Sequence, residues 1–296
     1  MTSATPGLLD RTFALAGGDE PSTRGSKLLA FRRFLYMHLA VQALFRLSAE
    51  PITMWALLFV VLYAMCLLLG WFRRWTRSAG EIALLVALAQ IVYTFPFTAN
   101  HLYLESLILL FLALCDPAKD EDNDLALQGC RWLALLALFY SGLKKLMYGY
   151  YFDGTFLSHM VAHQERFAAF FQYLIPEEEL VRLRSYRWPS DVGSGPFRVD
   201  SVAMVVVSNA SYLLEMLLPI GLLIRRLRPL AWVASIGLVI AIELAAREIF
   251  FGALITNLLL LFATRDLNRK LLPLWIVLYL FLTAVAVGLV PRWGLT

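Results

Sequence analysis

Charge is scarce in this chain. Asp, Glu, Lys and Arg make up 16% of its 296 residues against 60% hydrophobic, with a mean hydropathy of +0.67, which excludes an ordinary soluble globular domain. Cysteine is scarce as well: Cys66, Cys115 and Cys130 show no CxxC spacing and no even-numbered framework, so disulfide chemistry is not expected. Met1 to Ser26 is polar, contains Gly and Pro, and holds no apolar stretch of signal-peptide length, so the first span is expected to direct insertion. The net charge of +4 and pI of 9.0 come from arginines in short loops, a topology signal rather than a nucleic-acid footprint. No nucleic-acid role is assigned, and no internal repeat or low-complexity tract is found.

Long apolar runs are what the chain does have. Nine of them, most about 17 to 22 residues, match the length that carries a helix across a hydrocarbon core of about 30 Å. They predict spans near 29–48, 52–70, 80–97, 99–115, 130–148, 199–224, 229–246, 251–264 and 271–290. The expected fold class is therefore all-α, a polytopic transmembrane bundle. Loops carrying Arg73, Arg74 and Arg77, then Arg225, Arg226 and Arg228, then Arg265, Arg269 and Lys270, share one face if the N-terminus is cytoplasmic. The C-terminus then lies outside, and the plasma (inner) membrane of a bacterium is the expected location.

Two connections stand out. Asp116 to Leu127 is acidic and reads as a solvated cytoplasmic loop. Gly149 to Phe197 is the only long connection, on the outer face, and is too long to be structureless. Phe156, Met160, Phe167, Phe170, Phe171 and Leu174 give it an apolar helical face suited to the membrane interface or the bundle mouth. Pro176 before Glu177, Glu178 and Glu179 predicts a second helix start, with Glu178 and Arg182 four apart, and Pro189 to Pro196 reads as a loop. His159 and His163, also four apart, lack a third ligand and read as a solvated interfacial face, so no metal site is expected. His38, beside Arg32 and Arg33, reads as an interface residue.

The informative residues are polar ones inside the spans. Lys144 and Lys145 fall where hydrocarbon is expected, and a lysine at bilayer depth costs about 2.5–3.5 kcal/mol on insertion scales unless it faces protein or snorkels. Helical neighbours diverge by about 100°, so one of the two faces inward and the other outward. His101 and Glu105 share one face of the fourth span at a similar depth, where antiparallel packing could bring them to a lysine. Ser208, Asn209, Ser211, Tyr212 and Glu215 follow in the sixth span, Glu243, Arg247 and Glu248 in the seventh, and Asn257 opens the eighth. An amine sheltered from water is more readily neutral and available as a base. A nearby His or Tyr could orient an apolar substrate bearing hydroxyl or carbonyl groups, while Glu105 or Glu215 balances charge.

Asn100-His101-Leu102-Tyr103-Leu104 resembles the Asn-His-x-Tyr-Leu segment of vitamin K-dependent gamma-glutamyl carboxylases and the wider horizontally transferred transmembrane (HTTM) domain family. Phe139-Tyr140-Ser141-Gly142-Leu143-Lys144-Lys145-Leu146 is similar to that family's aromatic, small, Gly, aliphatic, Lys, Lys, Leu segment, with Gly154 at a familiar distance and Leu214-Glu215-Met216 as a weaker match. The resemblance implies a base at Lys145 and an assisting histidine at His101. It further implies a substrate or cofactor region drawn from Asn100, Tyr103, Glu105, Tyr140, Lys144, Tyr212, Glu215 and Glu243. Vitamin K hydroquinone or menaquinol would be the cofactor, with O2 and CO2 as co-substrates and a glutamyl peptide or protein as partner beside the lipid bilayer. A large lumenal portion found in animal carboxylases has no counterpart before Thr296, and a histidine of those enzymes is replaced by Glu243.

The expected organisation is a polar cytoplasmic segment, 1–28, and one HTTM-like transmembrane domain, 29–296, with 149–197 as its extracytoplasmic helical loop. The leading functional expectation is a carboxylase-like lyase and quinol epoxidase. The alternatives are a transport, peptide-maturation or immunity component binding an apolar or peptide ligand, and a membrane scaffold without a reachable cavity.

Overall fold

The computed structural model describes residues 21–49, 53–186, 197–198, 201–263 and 265–290, and every regular element among them is helical. Helices α1 (Pro21–Ala49), α2 (Met54–Trp71), α3 (Thr76–Thr94), α4 (Asn100–Leu114) and α5 (Asp120–Tyr148) are followed by three short ones, α6 (Thr155–His163), α7 (Glu165–Phe171) and α8 (Glu177–Arg184). Then come α9 (Val202–Leu223), α10 (Arg228–Ala246), α11 (Ile249–Leu259) with a 3-10 turn at Leu260–Phe262, and α12 (Arg265–Ala286). Each of the nine apolar runs overlaps a helix among the described residues. Among the described residues, five helices are long and apolar enough to cross a membrane: Gly25–Ser48 within α1, Met54–Trp71, Asp120–Tyr148, Val202–Leu223 and Arg228–Ala246. Asn100–Leu114, Ile249–Phe262 and Lys270–Ala286 are apolar but shorter. The protein thus has the build of a helical, multi-pass membrane protein.

Contacts divide the chain into two units. Unit 1 takes Met1–Ala134, Leu223–Arg226 and Ile249–Thr296; unit 2 takes Leu135–Leu222 and Leu227–Glu248. In unit 1, α1 packs against α2, α11 and α12, while α2 meets α3 and α3 meets α4. Two-thirds of the apolar window of α1 is buried against 22% of that of α2, so α1 is the central helix and α2 turns an apolar face outward, as lipid contact requires. Cations, three of them buried, finish helices of this unit. Arg33 donates to Trp71 O at the end of α2, Arg32 to Cys115 O at the end of α4, and Arg131 and Lys27 to Leu261 O and Ala263 O at the end of the 3-10 turn. Those carbonyls lack intrahelical donors and sit at the negative end of the helix dipole, so each cation is held by a structural demand.

In unit 2 the apolar residues of the long connection pack on each other. Leu157, Val161, Phe167, Phe171, Ile175 and Leu183 form a core with Phe197, Met204 and Ala245, and Phe156, Met160, Phe170 and Leu174 pack against it. The predicted helical character of this connection holds for α6 to α8; Pro189 to Pro196 lies outside the described residues.

Three expectations are corrected. The acidic loop ends early: Asp120, Glu121 and Asp122 form the first turn of α5 rather than a loop to Leu127, because carboxylates favour the positive end of a helix. Arg182 pairs with Glu179 at 2.6 Å, three residues away, not with Glu178. His159 and His163 are half-buried rather than fully solvated. Their rings meet edge-on at 4.6 Å and both pack on Phe197, at 4.7 and 5.5 Å, because the aromatic cluster offers them more than water does.

Candidate functional site

Lys145 and Glu215 form the centre of unit 2's polar cluster. Lys145 Nζ lies 2.6 Å from Glu215 Oε1, with side-chain exposures of 22% and 3%. The approach depends on Gly142. A Cβ there would sit 2.6 Å from Tyr212 O and 2.7 Å from Met216 Cγ, so α5 and α9 touch backbone to backbone where the side chain is missing. A helical side chain leans toward its own N-terminus, which carries the Lys145 amine back toward the level of Gly142 and onto Glu215. Its neighbour Lys144 is exposed, the divergence that a 100° step imposes.

Aromatic rings wall the pair. The Lys145 amine lies 5.3 Å from the centre of the Tyr151 ring, which stacks on Phe156 at 4.7 Å. Phe152 meets Tyr212 edge-on at 5.9 Å, and the Tyr212 hydroxyl donates to Asn209 Oδ1 at 2.9 Å. Asn209 in turn donates to Phe152 O at 3.0 Å, which ties the 149–154 turn to α9. Gly154 makes that turn with a φ of 78°, a left-handed backbone that favours glycine, and so starts α6. Burial and the Glu215 charge push the Tyr151 phenol up, which keeps it a hydroxyl at neutral pH. Glu215 Oε2 and Ser208 Oγ are buried with no hydrogen-bond partner among the described residues. An orphaned carboxylate oxygen beside an amine is an open acceptor for a ligand hydroxyl.

The fourth-span residues belong to unit 1 and have other partners. His101 Nε2 lies 3.2 Å from an Arg46 guanidinium nitrogen, and Glu105 Oε1 lies 3.3 Å from His38 Nε2 and accepts from Gln42 Nε2 at 3.2 Å. His38, read from the sequence as an interface residue, is fully buried. Its ring faces the centre of unit 1, where Glu105 and Tyr279 supply both nitrogens with partners. Asn100, Tyr103 and Tyr140 are exposed, while Glu243 is half-buried near the C-terminal end of α10 in unit 2. His38 and Gln42 were missed as partners of Glu105. The available signal was their spacing of four on one helix, the same spacing that singled out His101 and Glu105.

No protein-family description, curated protein or solved structure matches the chain.

Proposed function

We propose that the protein is a multi-pass membrane enzyme in which Lys145 is the base toward a hydroxyl of an apolar hydroquinone. The observation that carries this reading is the Lys145–Glu215 pair, with its amine only 22% exposed and the second Glu215 oxygen buried and unpartnered. An amine and a carboxylate 2.6 Å apart in a low-dielectric wall can share one proton. With that proton on Glu215, Lys145 is a neutral amine able to take another from a bound hydroxyl. Glu215 Oε2 accepts from the second polar end of such a ligand, and the rings of Tyr151, Phe152, Phe156 and Tyr212 supply the flat apolar walls it needs. The bound hydroquinone, vitamin K hydroquinone or menaquinol, would supply reducing equivalents to O2 and yield an epoxide. Coupled carboxylation with CO2 on a glutamyl peptide is the fuller form of the same proposal. His101 enters only through the resemblance to the carboxylase and HTTM family.

The proposal includes the topology. Nine helices cross a bacterial plasma membrane, the N-terminus is cytoplasmic and the C-terminus is outside, which puts Lys145 at the extracytoplasmic end of α5. The second reading is a carrier that binds an apolar or peptide ligand without turnover, for transport, peptide maturation or immunity. It is favoured by the completeness of the ion pair, which can serve as a binding group without ever transferring a proton. Purified protein given a reduced quinone and O2 separates the two. Epoxide formed by the wild type and lost in Lys145→Ala supports the enzyme; tight quinol binding with no product, weakened in Lys145→Ala, supports the carrier.

A further inference from the structure

A cavity of about 250 Å³ lies inside unit 1 and plays no part in the Lys145 reading. Helix α1 supplies one wall through Lys27, Phe31 and Phe34, α12 supplies another through Leu272 and Trp275, and the 3-10 turn after α11 closes the third.

The wall on α1 follows from spacing. Lys27, Phe31 and Phe34 are four and three residues apart, so they share one helical face and descend it over about 10 Å. The face begins with a cation and continues with aromatic rings. Lys27 stands in the first turn of the apolar segment that starts at Gly25, and Leu272 stands in the first turn of the one that starts at Lys270. One end of the cavity is therefore level with the start of two apolar segments, where a membrane interface falls, and the other end reaches hydrocarbon depth.

Charge is one-signed at that upper end. Lys27 is the one charged residue in the lining, and no carboxylate faces the space. Lys27 is 8% exposed, and its donation to Ala263 O at 2.9 Å fixes the amine at this end. Lys270 is exposed at the same level. Asn257, the amide in the lining, is bonded to Trp275 Nε1 and the Tyr279 hydroxyl. Ala30 and Leu272 are exposed on the rim, so the cavity opens sideways, into what is lipid for a multi-pass helical protein.

Three features now restrict the occupant: an apolar slot, a lateral opening, and a cation at the interface. The volume lies below the range of about 300–1,000 Å³ that encloses a drug-sized ligand, so the slot takes one part of a molecule whose remainder stays outside. A long apolar chain ending in an anion meets all three. In a bilayer that molecule is an acidic phospholipid, whose headgroup is drawn to basic pockets between helices. A zwitterionic headgroup brings its own cation and gains less from Lys27.

We propose that this cavity binds one acyl chain of an acidic phospholipid, with the lipid phosphate held at Lys27.

Native mass spectrometry of the full chain, released from detergent containing phosphatidylglycerol or phosphatidylcholine with identical chains, tests this. The wild type is expected to retain one phosphatidylglycerol in preference to phosphatidylcholine. Lys27→Gln keeps a donor for Ala263 O but not the charge, and should weaken that retention about fivefold, the factor one basic residue carries at an acidic membrane surface. Ala30→Phe, on the exposed rim, obstructs the chain and weakens phosphatidylglycerol retention as well. Glycerol 3-phosphate, a headgroup without chains, should not displace the lipid. Equal retention of the two lipids by the wild type, displacement by glycerol 3-phosphate, or retention untouched in either variant overturns the proposal. If Lys27→Gln does not fold, Ala30→Phe decides alone. Neither Lys145 nor any product is read, so the outcome is independent of the quinol reading.

Discussion

Gly142 and Lys145, three residues apart on α5, act together: the first lets the helix rest against Tyr212 O of α9, and the second then reaches Glu215 Oε1 at 2.6 Å. The close backbone approach places the amine in a half-sheltered aromatic wall instead of at the lipid surface. A base there depends on packing as much as on chemistry.

Gly142→Ala should therefore be felt at a distance from the amine. Its Cβ would fall inside 3 Å of both Tyr212 O and Met216 Cγ, so the helices must part. Overpacking of this kind costs about 1–3 kcal/mol. Thermal unfolding in detergent should show the loss, and Lys145 should react faster with an amine-modifying reagent than in the wild type.

Removing one member of the ion pair should cost more than removing both. Lys145→Ala leaves Glu215, 3% exposed, as an uncompensated buried charge, a loss of about 3–5 kcal/mol. Lys145→Met combined with Glu215→Leu should recover most of that stability. The double-mutant cycle measured by chemical denaturation checks the coupling.

Much of the fold is legible in the sequence because hydrophobic length is a local signal. Each of the nine apolar runs overlaps a helix, and the long connection announces its helices through its apolar face and Pro176. The partners are less legible, because they are set by register between helices. Lys145 and Glu215 were each singled out, yet Lys145 was expected opposite His101; only the close approach at Gly142 selects α9. The sequence names no partner for Lys27, Arg32 or Arg131, which satisfy helix-end carbonyls distant in sequence. His38 was misplaced because its neighbours Arg32 and Arg33 suggested an interface, although α1 is the central helix of its unit.

Asn257→Leu should destabilise unit 1 through two lost bonds. Tyr279 loses a donor and Trp275 Nε1 loses its acceptor in a buried site. An unsatisfied buried group costs about 1–3 kcal/mol. A lowered denaturation midpoint and a shifted tryptophan emission are expected, with Tyr279→Phe giving a smaller loss.

Acid should loosen α6 to α8 in two steps. Burial, reinforced by His159, lowers the His163 pKa below its ordinary 6.5, so the folded state holds fewer protons there than the unfolded chain. Its neutral form is therefore undisturbed above 6.5, and stability falls as pH drops below that value, levelling off under the folded pKa. The Arg184 guanidinium lowers Glu165 below its ordinary 4.5, so this contribution is complete above 4.5 and is lost as pH falls through the folded value. Hydrogen exchange of α6 to α8 against pH should show both steps, with the upper one absent in His163→Gln and the lower one absent in Arg184→Gln.

Lys145→Arg tests the central claim most directly. Arginine keeps a cation against Glu215, so the fold is retained, but a guanidinium does not give up its proton at any working pH. Purified wild type and variant, matched in thermal stability, are supplied with menaquinol and O2, and epoxide is quantified by mass spectrometry. The account predicts product from the wild type and none above background from Lys145→Arg; equal turnover by the two proteins, or no product from either, would contradict it.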